Sequence, residues 1–148
     1  MSSSREPARP FVVLQVDDDA VNRELMRQVL ELRPGIVLEA AGLGREALAA
    51  ARERPPDLVL LDLRLPDMLG DAVLAALRAD PRTAGVPVVV VTADDSQWRA
   101  QHLRAAGATD YLVKPFDIGA FLTMIDGLRS KRRGPDDEPE VAAPPPRG

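Results

Sequence analysis

Polar and apolar positions along this chain fall into alternating blocks. Five short, mostly uninterrupted apolar runs stand out: Phe11–Val16, Ile36–Glu39, Leu58–Asp62, Val86–Thr92 and Tyr111–Val113. Runs of this length and continuity predict strands buried on both faces, as in a parallel sheet covered by helices. The segments between them carry helical spacing. Val21, Leu25, Val29 and Leu32 mark the apolar face of a first helix, and Ala47, Leu48 and Ala51 that of a second starting at Gly44. Val73, Leu74 and Leu77 mark a third, with Asp71 as its expected cap. A fourth is expected over Trp98–Ala106, closed by Gly107, and Ile118, Phe121, Leu122, Ile125 and Leu128 stripe a fifth. Regular βα alternation with short loops predicts right-handed crossovers and a doubly wound α/β sheet.

The two ends break this pattern. Residues 1–10 are an arm of Ser, Arg and Pro, and Gly134–Gly148 (GPDDEPEVAAPPPRG) is too rich in Pro and acidic residues to bury a core. The expected organisation is a disordered arm over 1–10, one domain over 11–130, and a disordered tail over 131–148 that is first basic, then Pro-rich and acidic. A chain of 148 residues suits one domain with a core adequate for independent stability.

Composition narrows the chemistry. The formal net charge of −4 leaves no footprint for general nucleic-acid binding. The cluster Arg129, Lys131, Arg132 and Arg133 follows a helix, where it meets the negative end of the dipole. Without cysteine there are no disulfides, thiolate metal sites or thiol nucleophiles, and His102, the single histidine, excludes a multi-histidine metal site. No apolar run is long enough to span a bilayer, and the N-terminus has no signal-peptide segment. These features lead us to expect a soluble, cytoplasmic protein.

Asp62 is the most informative residue. A carboxylate where a buried strand surfaces is costly to desolvate and calls for a charged partner or a function. Three other strand ends carry Asp17 and Asp18, Thr92, and Lys114, and in doubly wound sheets the functional crevice lies beyond the carboxyl ends of the strands. Asp17-Asp18-Asp19 alone reads as a solvated turn that starts a helix. It is no EF-hand, because Asn22 and Gln28 occupy the positions that need Gly and Glu. Beside Asp62, however, two of its carboxylates form an oxygen-rich site suited to Mg²⁺. Thr92 reads either as a β-favouring residue ending its strand or as a hydroxyl able to donate to a phosphoryl oxygen, and Lys114 either as an exposed lysine or as an ammonium able to pair with Asp62 or a phosphoryl group. Lys114–Pro115 is a candidate cis peptide.

The segments VDDDAVNREL, DLVLLDLRLPDM, VVVVTA and GATDYLVKPF resemble the four signatures of the response-regulator receiver domain of two-component signalling. The resemblance covers about residues 11–129, and its key positions are separated by 44 (18 to 62), 30 (62 to 92) and 22 (92 to 114) residues. It implies a flavodoxin-like (βα)5 fold with strand order 2-1-3-4-5. It also implies Asp62 as phosphoacceptor and Mg²⁺ held by the Asp18 and Asp62 carboxylates and the Arg64 carbonyl. Asp17 would act on the ion mainly through water, and Thr92 and Lys114 would contact the phosphoryl group. Tyr111 matches the aromatic switch position, which with Thr92 would bias a surface formed by the fourth helix, fifth strand and fifth helix. The implied partners are a sensor histidine kinase or histidine phosphotransfer protein and a downstream protein; the fifth-helix face and Trp98 point to a second copy of the chain, and the net charge and lack of a spanning run to no direct nucleic-acid or membrane partner.

Several positions carry smaller expectations. Leu69 stands where the family has a small polar residue, and Arg64 and Asp94 are expected to pair over the site entrance. Trp98 is expected to pack within its helix, and His102 to lie on the helix surface. Only 18 residues (131 to 148) follow the expected last helix, which favours a stand-alone receiver rather than one joined to a DNA-binding output domain. Two alternatives remain open. One is a small phosphatase resembling the haloacid dehalogenase class, with Asp17 as nucleophile, although it lacks a grouped acidic motif after Lys114 and gives Asp62 no role. The other is an unphosphorylated pseudo-receiver acting as a binding module.

Overall fold

The computed structural model of the chain describes residues 9–132. Five strands, β1 (Phe11–Val16), β2 (Ile36–Ala41), β3 (Leu58–Leu61), β4 (Val88–Thr92) and β5 (Asp110–Val113), form one parallel sheet in the order β2-β1-β3-β4-β5. Five helices alternate with them: α1 (Ala20–Leu30), α2 (Gly44–Glu53), α3 (Gly70–Ala79), α4 (Gln97–Ala105) and α5 (Ile118–Lys131). The doubly wound α/β fold and the 2-1-3-4-5 order are those expected from the sequence.

The period-two pleat of the central strands divides the core into two apolar layers. Leu14, Val16, Val59, Leu61, Val88 and Val90 pack against α2, α3 and α4 through Leu48, Val73, Leu74, Leu77 and Leu103. Phe11, Val13, Leu58, Leu60, Val89 and Val91 pack against α1 and α5 through Met26, Leu30, Phe121, Leu122 and Ile125. Both faces are therefore covered, which is why these strands read as continuous apolar runs.

Several sequence-based expectations are corrected. The buried face of α1 is Met26 and Leu30, while Val21, Leu25 and Leu32 are exposed. Its sequence carries two apolar stripes, and helical spacing alone does not choose between them. Asp71 is not the cap of α3. That helix begins at Gly70, whose N–H donates to the Leu63 carbonyl, and the Asp71 carboxylate instead receives Arg99 of α4 in a bidentate pair at 2.7 and 2.9 Å. Trp98 is 69% exposed, stacked on His102 rather than packed. His102 is exposed, as expected, and Gly107 closes α4 at φ +115°, a conformation glycine adopts without steric cost.

The arm and tail expected over 1–10 and 131–148 lie outside the described residues except at positions 9, 10, 131 and 132. Lys131 is the last residue of α5, one beyond the expected boundary, and Arg133 lies outside the described residues. Arg132 donates to the carbonyls of Pro10 and Arg9 and pairs with Asp57 at 3.3 Å, while Arg129 donates to the Pro34 carbonyl. Both guanidinium groups lie over the Phe11 ring. These two basic residues therefore tie α5 to the start of the sheet, and do more than face the helix dipole.

Candidate functional site

Strand register assembles the site. Val16 pairs with Leu61, and the Asp62 N–H donates to the Val16 carbonyl at 3.0 Å, so Asp17 and Asp62 leave the sheet side by side. On the other flank the Lys114 N–H donates to the Thr92 carbonyl at 2.7 Å. Asp17, Asp18, Asp62, Thr92 and Lys114 thus stand at one edge because four strands end in register there.

The donor set fits a hard divalent cation. Carboxylate oxygens of Asp17, Asp18 and Asp62 lie within 4.8 Å of one another, the all-oxygen environment Mg²⁺ requires. The three differ in freedom. Asp17 is 4% exposed and already engaged: Oδ1 accepts from the Asp19 N–H at 2.9 Å, and Oδ2 from Asn22 Nδ2 at 3.2 Å. Lys114 Nζ also sits 3.8 Å from Asp17 Oδ2, so the ammonium pairs with Asp17 in this state rather than with Asp62. Asp18 is exposed. Asp62 is half-buried and, among the described residues, its side chain accepts one long bond, 3.3 Å from the Arg64 N–H.

Burial pushes the Asp62 carboxyl above its ordinary value. The Arg64 N–H and Lys114 partly oppose that rise, and the neighbouring Asp17 charge adds to it. Three carboxylates gathered around one lysine leave an excess of negative charge that a divalent cation would neutralise.

Thr92 and Tyr111 share the face packed against α2–α4. Thr92 is 7% exposed, and its Oγ1 accepts from the Asp94 N–H at 3.2 Å. Tyr111 is buried, and its hydroxyl donates to the Asp94 carbonyl at 2.8 Å. Both side chains therefore hold the same residue of the β4–α4 loop. The expected Arg64–Asp94 ion pair is not formed: no such contact lies within 4 Å. Arg64 is exposed and bridges backbone to backbone with Leu69, itself 60% exposed, across the β3–α3 loop. The Lys114–Pro115 bond is cis, as its sequence allowed.

Some supporting residues were not assigned from sequence. Asp67, within the LPD of the second signature, caps α2 from another loop. Its oxygens accept from the N–H groups of Gly44 at 2.8 Å and Arg45 at 3.0 Å, where Leu43 offers no side-chain cap. Asn22 and Arg23, in the first signature, hold the Asp17 carboxylate and carbonyl. The signal was present, an acidic residue in a loop and polar residues beside a triplet, but the partners are remote or a turn away.

A doubly wound sheet with an acidic cluster, a threonine and a lysine at its carboxyl edge defines an α/β protein with a cation-binding and anion-binding site beyond its strand ends. A family model described as the response regulator receiver domain matches residues 13–126, and the chain belongs to that family. It is 42% identical over 127 residues to the DNA-binding response regulator MtrA of Mycobacterium tuberculosis, a match covering 86% of this chain and 53% of that protein. It is also similar to a putative response regulator from Chloroflexus aurantiacus, with TM-score 0.77 and 29% identity over 83% of this chain and all of that one. A third similarity is to the receiver domain of a Pseudomonas aeruginosa sensor histidine kinase crystallised with magnesium in its active-site cleft. That match has TM-score 0.74 and 26% identity, covering 82% of this chain and 99% of that one.

The chain spans about half the length of the curated relatives it matches. Their DNA-binding name runs against the expectation that nucleic acid is not a partner, and it describes those longer proteins. Among the described residues, no helix is long and apolar enough to cross a membrane.

Proposed function

We propose that this receiver accepts a phosphoryl group on Asp62 from the phosphohistidine of a sensor kinase or histidine phosphotransfer protein. The observation that carries the reading is the convergence of Asp17, Asp18 and Asp62 within 4.8 Å, with Thr92 and Lys114 at the adjoining strand ends. Asp62 is the nucleophile in this reading because it ends the central strand β3, between Asp17 and Asp18 on one side and Thr92 and Lys114 on the other, with a single long hydrogen bond engaging its side chain. Its Oδ attacks phosphorus in line, the N–P bond to the donor imidazole breaks, and the bond's electrons leave with the imidazole. Mg²⁺ would be held by the carboxylates of Asp18 and Asp62 and the Arg64 carbonyl, and when bound it neutralises charge on the phosphoryl oxygens. The hydrogen bonds that already engage Asp17 support a role for it through water rather than by direct ligation.

Lys114 exchanges Asp17 for the new phosphoryl oxygens. The Thr92 hydroxyl turns from the Asp94 N–H to donate to another of those oxygens. Loss of that contact loosens the β4–α4 loop, which Tyr111 also holds at Asp94, and so biases the α4–β5–α5 surface toward partner binding. The exposed Trp98 on α4 lies on that surface and supports a protein partner or a second copy of the chain. Arg129 and Arg132 are occupied in fold contacts, which supports a protein rather than a nucleic acid as the direct partner of the described residues. We take the receiver unit as 11–130, working in the cytoplasm as a signalling module that catalyses only its own phosphorylation and dephosphorylation.

Peptide mapping after treatment with acetyl phosphate and Mg²⁺, with the acyl phosphate trapped by borohydride, tests the assignment. The label is expected on the peptide containing Asp62. A label on Asp17 would support the phosphatase alternative, and no label from acetyl phosphate or a phosphorylated kinase would support the pseudo-receiver.

A further inference from the structure

We propose that the cleft between α1 and the β5–α5 turn binds a small neutral molecule with a ring-sized apolar body and one N–H or O–H donor, received by Gln15 Oε1. The cleft has a volume of about 340 Å³, within the range of small-molecule sites. Met26 and Val29 of α1, Leu60 and Val91 of the sheet, and Phe116 after β5 supply apolar walls.

Asp17, Asn22, Asp62 and Lys114 line its polar side, and one further polar residue lies among the apolar walls. Gln15 shares the β1 face of Phe11 and Val13, where the layer against α1 and α5 calls for another apolar side chain, yet it is a glutamine only 5% exposed. Its Nε2 donates to the Asn22 carbonyl at a long 3.5 Å, and its Oε1 has no hydrogen-bond partner among the described residues. Rotating the amide does not resolve this, because it would turn an oxygen toward the Asn22 carbonyl and leave a buried NH₂ without an acceptor. Buried acceptors are almost always bonded, so a buried amide oxygen on the wall of an apolar cleft is a placed specificity element.

Together these features define the ligand: apolar faces for most of its surface and a single donor at the sheet end. A water molecule would satisfy Gln15 but leave the walls wet, whereas a flat ring with one N–H meets both. The cleft also opens onto Asp17, Asp62 and Lys114, so an occupant would lie against the acidic cluster. The inference does not rest on the phosphoacceptor reading, because it concerns the unphosphorylated protein.

The test is a ¹H–¹⁵N NMR titration of the full chain, without Mg²⁺, using indole and 1-methylindole, which share the ring system and differ in a methyl group in place of the donor hydrogen. Indole is expected to give saturable shifts at the Gln15 side-chain amide and at Met26 and Val29. 1-Methylindole is expected to bind about three- to tenfold more weakly, the worth of one hydrogen bond. Gln15→Leu should erase that preference, and Val29→Phe, which fills the cleft from the wall, should abolish binding of both. Absence of saturable shifts at the cleft, which would mean that water alone occupies it, overturns the proposal. So does an indole preference that survives in Gln15→Leu.

Discussion

Gly70 sits where the β3–α3 loop turns back beneath the carboxylate site, and replacing it with alanine tests how tightly Asp62 is held. A Cβ at this position would lie 2.6 Å from the Asp62 carbonyl oxygen and 2.8 Å from Leu63 Cα. Ordinary carbon–oxygen contact is about 3.4 Å, so the backbone must retreat by about 0.8 Å. Neither opposing atom belongs to a flexible side chain, and overpacking of this kind costs about 1–3 kcal/mol. Alanine recovers at most about 1 kcal/mol of helix propensity, and less at the first residue of α3. The net expectation for Gly70→Ala is a loss of about 1–2 kcal/mol, read in urea unfolding as a midpoint lowered by roughly 1 M at an unchanged slope. Moving Asp62 by that distance should also slow phosphorylation by acetyl phosphate about ten- to a hundredfold, since misplacement of about 1 Å is costly to an in-line transfer. Gly127→Ala in α5 is the control: nothing lies within 4 Å of its Cβ, and about 0.5–1 kcal/mol of stabilisation is expected. A Gly70→Ala protein with the parent's stability and phosphorylation rate would refute this account of the loop.

Three further outcomes are expected. Leu30→Ala should cost about 2–4 kcal/mol and Leu25→Ala under about 1 kcal/mol in chemical denaturation, because Leu30 is 3% exposed and Leu25 is 54% exposed; the reverse order would restore the helix face first expected from the sequence. Thr83→Val should cost about 1–2 kcal/mol, since the fully buried Thr83 hydroxyl is the donor to the Leu77 carbonyl at 2.7 Å; an unchanged midpoint would show that this carbonyl finds another partner. Asp62 has a folded-state pKa raised above its unfolded value, so its contribution to stability is fully present below the unfolded pKa and is lost as pH rises through the folded one. Without Mg²⁺, Asp62→Asn should therefore melt higher than the parent at pH 7, with the gap closing as pH falls into the carboxylate range, and a gap that widens at low pH would contradict the burial of this charge.

The sheet was legible because strands covered on both faces cannot hide: the valines at 88–91 have to be apolar on either side. Asp17, Asp18, Asp62, Thr92 and Lys114 were legible as strand-end residues because a doubly wound topology gathers such positions at one edge. What failed to show depends on choices between local options. α1 offers two apolar stripes, and only the packing of Met26 and Leu30 against the sheet selects one. Asp71 has the composition of a cap, yet an arginine 28 residues away claims it. Lys114 lies next to two carboxylates, and only the side-chain geometry shows it closest to Asp17. Gln15 is one polar residue within the apolar run of β1, and its unpartnered oxygen needs the three-dimensional cleft to become visible.

Intact mass spectrometry of the full chain after incubation with acetyl phosphate, with Mg²⁺ or with a chelator, tests the central claim most directly when run beside Asp62→Asn. One phosphoryl adduct that requires Mg²⁺ and disappears in the variant is the predicted result. An adduct of equal yield in Asp62→Asn, or one indifferent to the chelator, would contradict the assignment of Asp62 and its carboxylate neighbours as a metal-assisted phosphoacceptor site.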